Sequence, residues 1–197
     1  ANQTPDLWMT SEQPISQVKD AVTIFLDYLE EAEADDQVAL SIYTASDGTA
    51  LLETELTQNF DLVDTISQQR QAAHYDVYTN IGDGIAVGLD ELVNNGRTGA
   101  YKMIVLMTDG IANRPYDTSY AKTYALDKAQ LAANENIPIF TISLGANADT
   151  QLMQQIADLT DGPHFNVPGG SGVLQYEEQL LETFQAIAAD RPLKLVD

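Results

Sequence analysis

Not one of the 197 residues is cysteine. That excludes disulfide frameworks, thiolate zinc sites and cysteine nucleophiles together, and it leaves the redox compartment open. Basic residues are scarce as well: nine Lys and Arg stand against 30 Asp and Glu, for a net charge of −21. A field of that sign repels phosphate backbones and anionic headgroups, so nucleic acid is excluded as a main partner and a basic lipid-binding patch is not expected. It remains compatible with cations, basic partners or simply a well-solvated acidic surface. Long hydrophobic runs are also missing. The longest is five residues, Met103–Met107, so no segment reads as a membrane span or a signal peptide. No G-x-S-x-G, P-loop, H-E-x-x-H or G-x-G-x-x-G pattern occurs.

What is present is a globular composition, 44% apolar and 20% charged, at a length suited to one domain. Helix and strand patterns alternate. Val18, Ala21, Val22, Phe25, Leu26 and Leu29 form the stripe of an amphipathic helix that starts near Pro14. Val38–Tyr43 and Ala50–Leu52 read as strands, and Ser46-Asp47-Gly48 between them is a hairpin signal. Asn59 or Asp61 can cap a helix through Leu62, Val63 and Ile66, and a further helix runs from Ile81 to Asn94-Asn95-Gly96. Lys102–Met107 and Ile137–Leu144 are near-continuous apolar runs, the pattern of strands buried on both faces of a parallel sheet.

Helices are also expected over Tyr116–Asn136, with a face of Ala121, Tyr124, Ala125, Lys128 and Leu131, and over Thr150–Leu159 and Val173–Ala189. His164–Val167 and Leu193–Val196 read as short strands. The fold class is therefore α/β: a mostly parallel central sheet with helices on both faces and one antiparallel edge hairpin.

In such sheets, ligands bind at the carboxyl ends of the strands. Only one strand end presents an acid directly after a buried run, Asp109 in Thr108-Asp109-Gly110. A rigidly held carboxylate there suits a hard divalent cation; it equally suits a turn in which Asp109 bonds its own backbone and Gly110 makes the bend. Thr79, in Tyr78-Thr79-Asn80-Ile81-Gly82-Asp83-Gly84, offers a hydroxyl, with the alternative of an ordinary helix start. His74 and His164 are isolated, without zinc-type spacing, and read as surface or loop residues. Asp47, Asp117 and Asp149 read as turn and cap residues.

Over roughly residues 14 to 190, the chain resembles the von Willebrand factor type A family, most nearly the bacterial type attached to tight-adherence pilus assembly proteins. The residues that carry the resemblance are the helix Pro14–Leu29 leading to Asp36-Gln37-Val38-Ala39-Leu40, the Thr79 loop, the strand Met103–Met107 running into Thr108-Asp109-Gly110, and Ile137–Gly145. The resemblance implies a non-enzymatic protein-binding module with a metal-ion-dependent adhesion site. Thr79 and Asp109 would be metal ligands, and Mg²⁺ or Mn²⁺ would be completed by an acidic side chain of a partner protein. It further implies a role in cell-surface or pilus assembly and adhesion. The expected location is extracytoplasmic, at the cell surface or in the periplasm, with any anchor upstream of Ala1 and no direct insertion of this segment into a membrane.

One departure bears on the metal. The family's first strand ends in Asp-x-Ser-x-Ser, whereas residues 1–13 hold Asp6-Leu7-Trp8-Met9-Thr10-Ser11, with Trp8 where the first serine belongs. The chain is thus read as a single domain over residues 1–197 whose residues 1–13 are a loop or extension, with that first strand absent from it. Metal binding by this chain is expected to be weak or absent. The same fold used as a metal-free interaction scaffold is the alternative. A Mg²⁺-dependent phosphoryl-transfer enzyme using Asp109 is a third class, disfavoured because Arg114 is the only basic residue nearby.

Overall fold

The computed structural model describes residues 14–32, 35–43, 50–70, 78–168 and 173–189. Its elements follow in the order α1 (Pro14–Glu31), β1 (Val38–Ile42), β2 (Leu51–Thr57), α2 (Phe60–Gln68), α3 (Ile81–Asn95) and β3 (Ile104–Thr108), then α4 (Thr118–Asn134), β4 (Ile139–Leu144), α5 (Thr150–Leu159), β5 (His164–Val167) and α6 (Val173–Ala189). The helix starts have local causes. Asn59, Asn80, Asp117 and Asp149 each cap a helix by accepting a backbone N–H of its first turn. Pro14 opens α1, where a missing N–H costs nothing.

β3, β4 and β5 form a parallel sheet in that order, with Ile104 opposite Ile139 and Ile142 opposite Phe165. All six residues of β4 are buried, as a central strand covered on both faces requires. Its side chains alternate between two cores. Ile139 joins Ile81, Ile85, Leu106, Ala121, Ala125 and Ile156 beneath α3, α4 and α5. Phe140, Ile142 and Leu144 join Phe184 and Ile187 of α6, with Val18, Val22 and Phe25 of α1 packed against them. The fold class expected from the sequence is the one found.

β1 and β2 pair antiparallel, with register shifts along the ladder. Among the described residues no ladder joins this hairpin to the parallel sheet, so there are two sheets where one was expected. The Ser46-Asp47-Gly48 turn, His74, residues 1–13 and Leu193–Val196 lie outside the described residues. None of the described helices is long and apolar enough to cross a membrane.

Four expectations need correction. Ile104 is half-buried rather than fully buried, because it opens a strand that pairs on one side only among the described residues, whereas Leu106, Ile139 and Ile142 are buried as expected. β2 extends to Thr57, well beyond Leu52, since the polar stretch Glu53-Thr54-Glu55 that continues it is passed over by a search for apolar runs. The buried face of α4 is Ala121, Ala125, Ala129 and Ala132, while Leu131 is exposed and Lys128 lies over the Tyr124 ring. Small residues let α4 approach α3 closely, so side-chain size rather than apolarity selects the face. His164 belongs to β5 and is half-buried, its Nδ1 2.8 Å from the Thr141 hydroxyl, so it is neither a loop nor a simple surface residue.

Candidate functional site

The loop before α3 is held from two sides. The Thr79 N–H donates to Asn113 Oδ1 at 2.9 Å, and the Asn113 N–H donates back to the Thr79 carbonyl at 3.0 Å. Asn80 is fully buried; its Oδ1 accepts the Asp83 N–H while its Nδ2 donates to Asp83 Oδ2 at 2.7 Å. The first bond satisfies a backbone donor that a helix start otherwise leaves open, and the second fixes the buried Asn80 side chain. Asp83 Oδ1 also accepts the Tyr124 hydroxyl of α4 at 2.6 Å. A Cβ on Gly82 would sit 2.3 Å from the Tyr124 ring, so only glycine allows this approach. Burial, with Asp83 beside it, pushes the Tyr124 phenol up to about 12.

Asp109 lies exposed just past β3, after the buried Thr108. Its carboxylate accepts no hydrogen bond among the described residues. The turn is instead fastened by its neighbours: the Gly110 N–H reaches Thr108 Oγ1 at 3.4 Å, and the Gly110 carbonyl accepts the Asp149 N–H at 3.2 Å. The self-capping alternative for Asp109 therefore finds no support in the turn's hydrogen bonds. A Cβ on Gly110 would lie 3.5 Å from Thr79 Oγ1, so the fold brings the loop hydroxyl against the Asp-Gly turn. Thr79 thus borders Gly110, the residue directly after Asp109, 31 positions further along the chain.

Beside them opens a cleft of about 670 Å³, lined by Thr79, Gly110, Asn113, Lys122, Asp149 and Thr150 among others. Lys122 Nζ pairs with Asp149 Oδ2 at 2.6 Å, and the Asp149 side chain is only 8% exposed. On the hairpin side, Tyr43 is half-buried against the core beneath α3, and its hydroxyl donates to the Met107 carbonyl. Burial raises the pKa of that phenol, a hydrogen bond with Thr108 opposes the rise, and the Asp109 charge adds to it.

Reading the sequence missed Lys122, Asn113 and Tyr124 as site neighbours. A single lysine, asparagine or tyrosine in a polar stretch carries no local signal, and only the closure of the loops brings them to Thr79. Asp117 and Asp149 act as caps, as expected.

Oxygen donors alone, a hydroxyl and a carboxylate, match a hard cation such as Mg²⁺ in kind. They fall short in number: among the described residues no group of three His, Cys, Asp or Glu side chains gathers anywhere. The site fits a divalent cation held partly by water or by groups from elsewhere.

A family model described as the von Willebrand factor type A domain matches residues 8–178. Among solved structures, the chain is similar to the conserved hypothetical protein BatB from Bacteroides thetaiotaomicron, at 16% identity and a TM-score of 0.64, covering 88% of this chain and 90% of that one. It is also similar to the von Willebrand factor domain of the type V pili tip protein Mfa5 from Porphyromonas gingivalis (12% identity, TM-score 0.66, 93% of this chain and 91% of that one). A third likeness is to proximal thread matrix protein 1 of the mussel byssus, with a zinc-occupied MIDAS motif. There the identity is 15% and the TM-score 0.59, with 86% of this chain and 43% of that one covered. None of the curated proteins matches this chain.

Proposed function

The chain belongs to the von Willebrand factor type A family, and on that premise we propose that residues 1–197 form one adhesion-type protein-binding domain whose divalent-metal site is built on Thr79 and Asp109. Domains of this family are generally interaction modules rather than enzymes. The observation that carries the reading is the placement of the Thr79 hydroxyl against the Asp109-Gly110 turn at the carboxyl end of β3. Thr79 and Asp109 would hold Mg²⁺ or Mn²⁺ there. A bound cation would supply an open coordination position for a carboxylate of a partner protein, which a surface of charge −21 would otherwise repel.

The metal-free scaffold remains the second reading, favoured by the shortage of acidic ligands among the described residues. The proposed setting is extracytoplasmic, in surface or pilus assembly and adhesion. It is supported by neighbours described as an aerotolerance-related membrane protein and a type V pili tip protein.

Calorimetric titration of the chain with Mg²⁺ and Mn²⁺ tests the reading. Weak binding that disappears in Asp109→Ala, with the thermal midpoint unchanged, is the expected result. Tight stoichiometric binding that survives Asp109→Ala places the site elsewhere, and the absence of any binding leaves the metal-free scaffold.

A further inference from the structure

With no cysteine, this chain has no disulfide to tie down a loop, but it carries nine tyrosines. Two of them meet at the surface. Tyr116 is 76% exposed and Tyr120 48%, and their rings stand edge to face with 5.0 Å between centroids. Neither of these two hydroxyls is bonded among the described residues. The backbone at the contact is unusual. Tyr116 holds a φ of 64°, a left-handed conformation rare for a bulky side chain, at the turn that leads through the cap Asp117 into α4. Such strain persists only where the surrounding structure over-determines it.

Tyr124, one turn further along α4, is held differently. Its ring stacks on that of Tyr120 at 6.3 Å, with the two planes 16° apart. Its hydroxyl is committed to Asp83, its ring lies against Gly82, and the Lys128 ammonium sits 5.0 Å from the ring centre. Tyr124 is therefore fixed, whereas Tyr116 and Tyr120 are exposed, adjacent and able to turn their rings.

We propose that Tyr116 and Tyr120 form an oxidative cross-linking site, at which a peroxidase with hydrogen peroxide joins the two rings as a dityrosine and staples the turn before α4 to the helix. One hydrogen peroxide takes an electron and a proton from each phenol, leaving two phenoxyl radicals and two waters. The radicals join through ring carbons beside the hydroxyls, forming one carbon–carbon bond. Each of those carbons passes its hydrogen to the neighbouring oxygen, which restores two phenols. The net change is the loss of two hydrogens. Rings already in contact react as one unit rather than by encounter, and a charge of −21 keeps separate copies of the chain apart, so coupling within the chain prevails. The staple lies a few residues beyond Ile111 and Asn113, which line the cleft, and it involves neither Thr79 nor Asp109.

The test treats the intact chain, at several protein concentrations, with a haem peroxidase and one equivalent of hydrogen peroxide, and maps the peptides by mass spectrometry. Trypsin releases Met103–Lys122 as one peptide, because Pro115 protects the bond after Arg114. That peptide is expected to lose two hydrogens, and cleavage before Asp117 should leave its two sides joined. Oxygen gained at Met103 or Met107 is a separate change and is read as such. The yield should be the same at every protein concentration. Tyr116→Phe and Tyr120→Phe keep the rings and the packing but remove one phenol, so each should abolish the linked peptide. Tyr101→Phe, at an exposed tyrosine of another loop, should leave it. Covalent dimers in place of the linked peptide, a yield that rises with protein concentration, or a linked peptide that survives in either α4-side variant overturns the proposal. So does an unmodified peptide in a mixture where added N-acetyltyrosine is dimerised.

Discussion

The Tyr43 hydroxyl donates a hydrogen bond to the Met107 carbonyl, and this contact links the β1–β2 hairpin to the parallel sheet where, among the described residues, no backbone ladder does. The direction of that carbonyl explains the partner. Ile104 N–H donates to Pro138 O on the β4 side. Alternate residues of a parallel strand address the same neighbour, so Leu106 and Thr108 follow Ile104, whereas Val105 and Met107 point their backbone groups away from β4. Tyr43 therefore satisfies a carbonyl on the edge of β3 that faces away from β4, one residue before Thr108 and two before Asp109.

Leu106 is 3% exposed in the core beneath α3 and α4. Leu106→Ala should cost about 2–5 kcal/mol, the range for emptying a buried leucine site. Chemical denaturation measures it, and a loss below about 1 kcal/mol would place β3 outside a packed sheet.

Two glycines of α3 should respond in opposite ways to alanine. A Cβ on Gly84 would come within 2.6 Å of the Tyr43 ring, whereas one on Gly88 meets only Ile104 at 3.8 Å. Helix preference favours alanine by about 1 kcal/mol at either position. At Gly88 that gain should appear as a raised midpoint. At Gly84 overpacking of about 1–3 kcal/mol should exceed it and lower the midpoint. A stabilised Gly84→Ala would show that Tyr43 yields freely, and its tie to Met107 would then contribute little.

His164 gives the fold a pH dependence of known sign. Burial holds its imidazole below the ordinary 6.5, against the hydrogen bond at Thr141 and the nearby Asp158. As pH falls, the unfolded chain takes up this proton first. The contribution is therefore complete above about pH 6.5 and is lost as pH drops through the lower folded value. Thermal midpoints measured from about pH 7.5 to about pH 5.5 should fall more steeply for the parent chain than for His164→Gln. Parallel curves would remove His164 as the cause.

Among the described residues no strand pairs with the edge of β3 that faces away from β4, which bears on the terminal segment Leu193–Val196, read from the sequence as a strand. If that segment pairs with β3, the Val105 and Met107 amides exchange slowly in the intact chain and rapidly after deletion of 193–197, while Leu106 is unaffected. Equal exchange in both chains, together with an unchanged midpoint, rules the pairing out. The same loss on deleting residues 1–13 would assign the edge to that segment.

Local chemistry made much of the architecture legible. Asp117 and Asp149 could be named as turn or cap residues, and Asn59 as one of two cap candidates with Asp61, because a short oxygen-bearing side chain before an apolar-periodic run has few other uses. β4 was legible because a strand covered on both faces needs an unbroken apolar run. The face of α4 was misread because close helix packing selects alanine over larger apolar residues, a choice made by the neighbouring helix rather than by the period.

The sequence by itself determined the element order, the α/β class and the acidic surface, and it marked two polar positions, Thr79 before a helix and Asp109 after a strand, since each follows from spacing and composition within a short stretch. Tertiary structure alone decided that Thr79 borders the Asp109-Gly110 turn, that Asn113 clamps the Thr79 loop, that Lys122 pairs with Asp149, and that Tyr43 reaches Met107. These pairs lie 27 to 64 residues apart along the chain. No local propensity couples residues so distant; they meet because burying two apolar cores closes the loops over the ends of the strands.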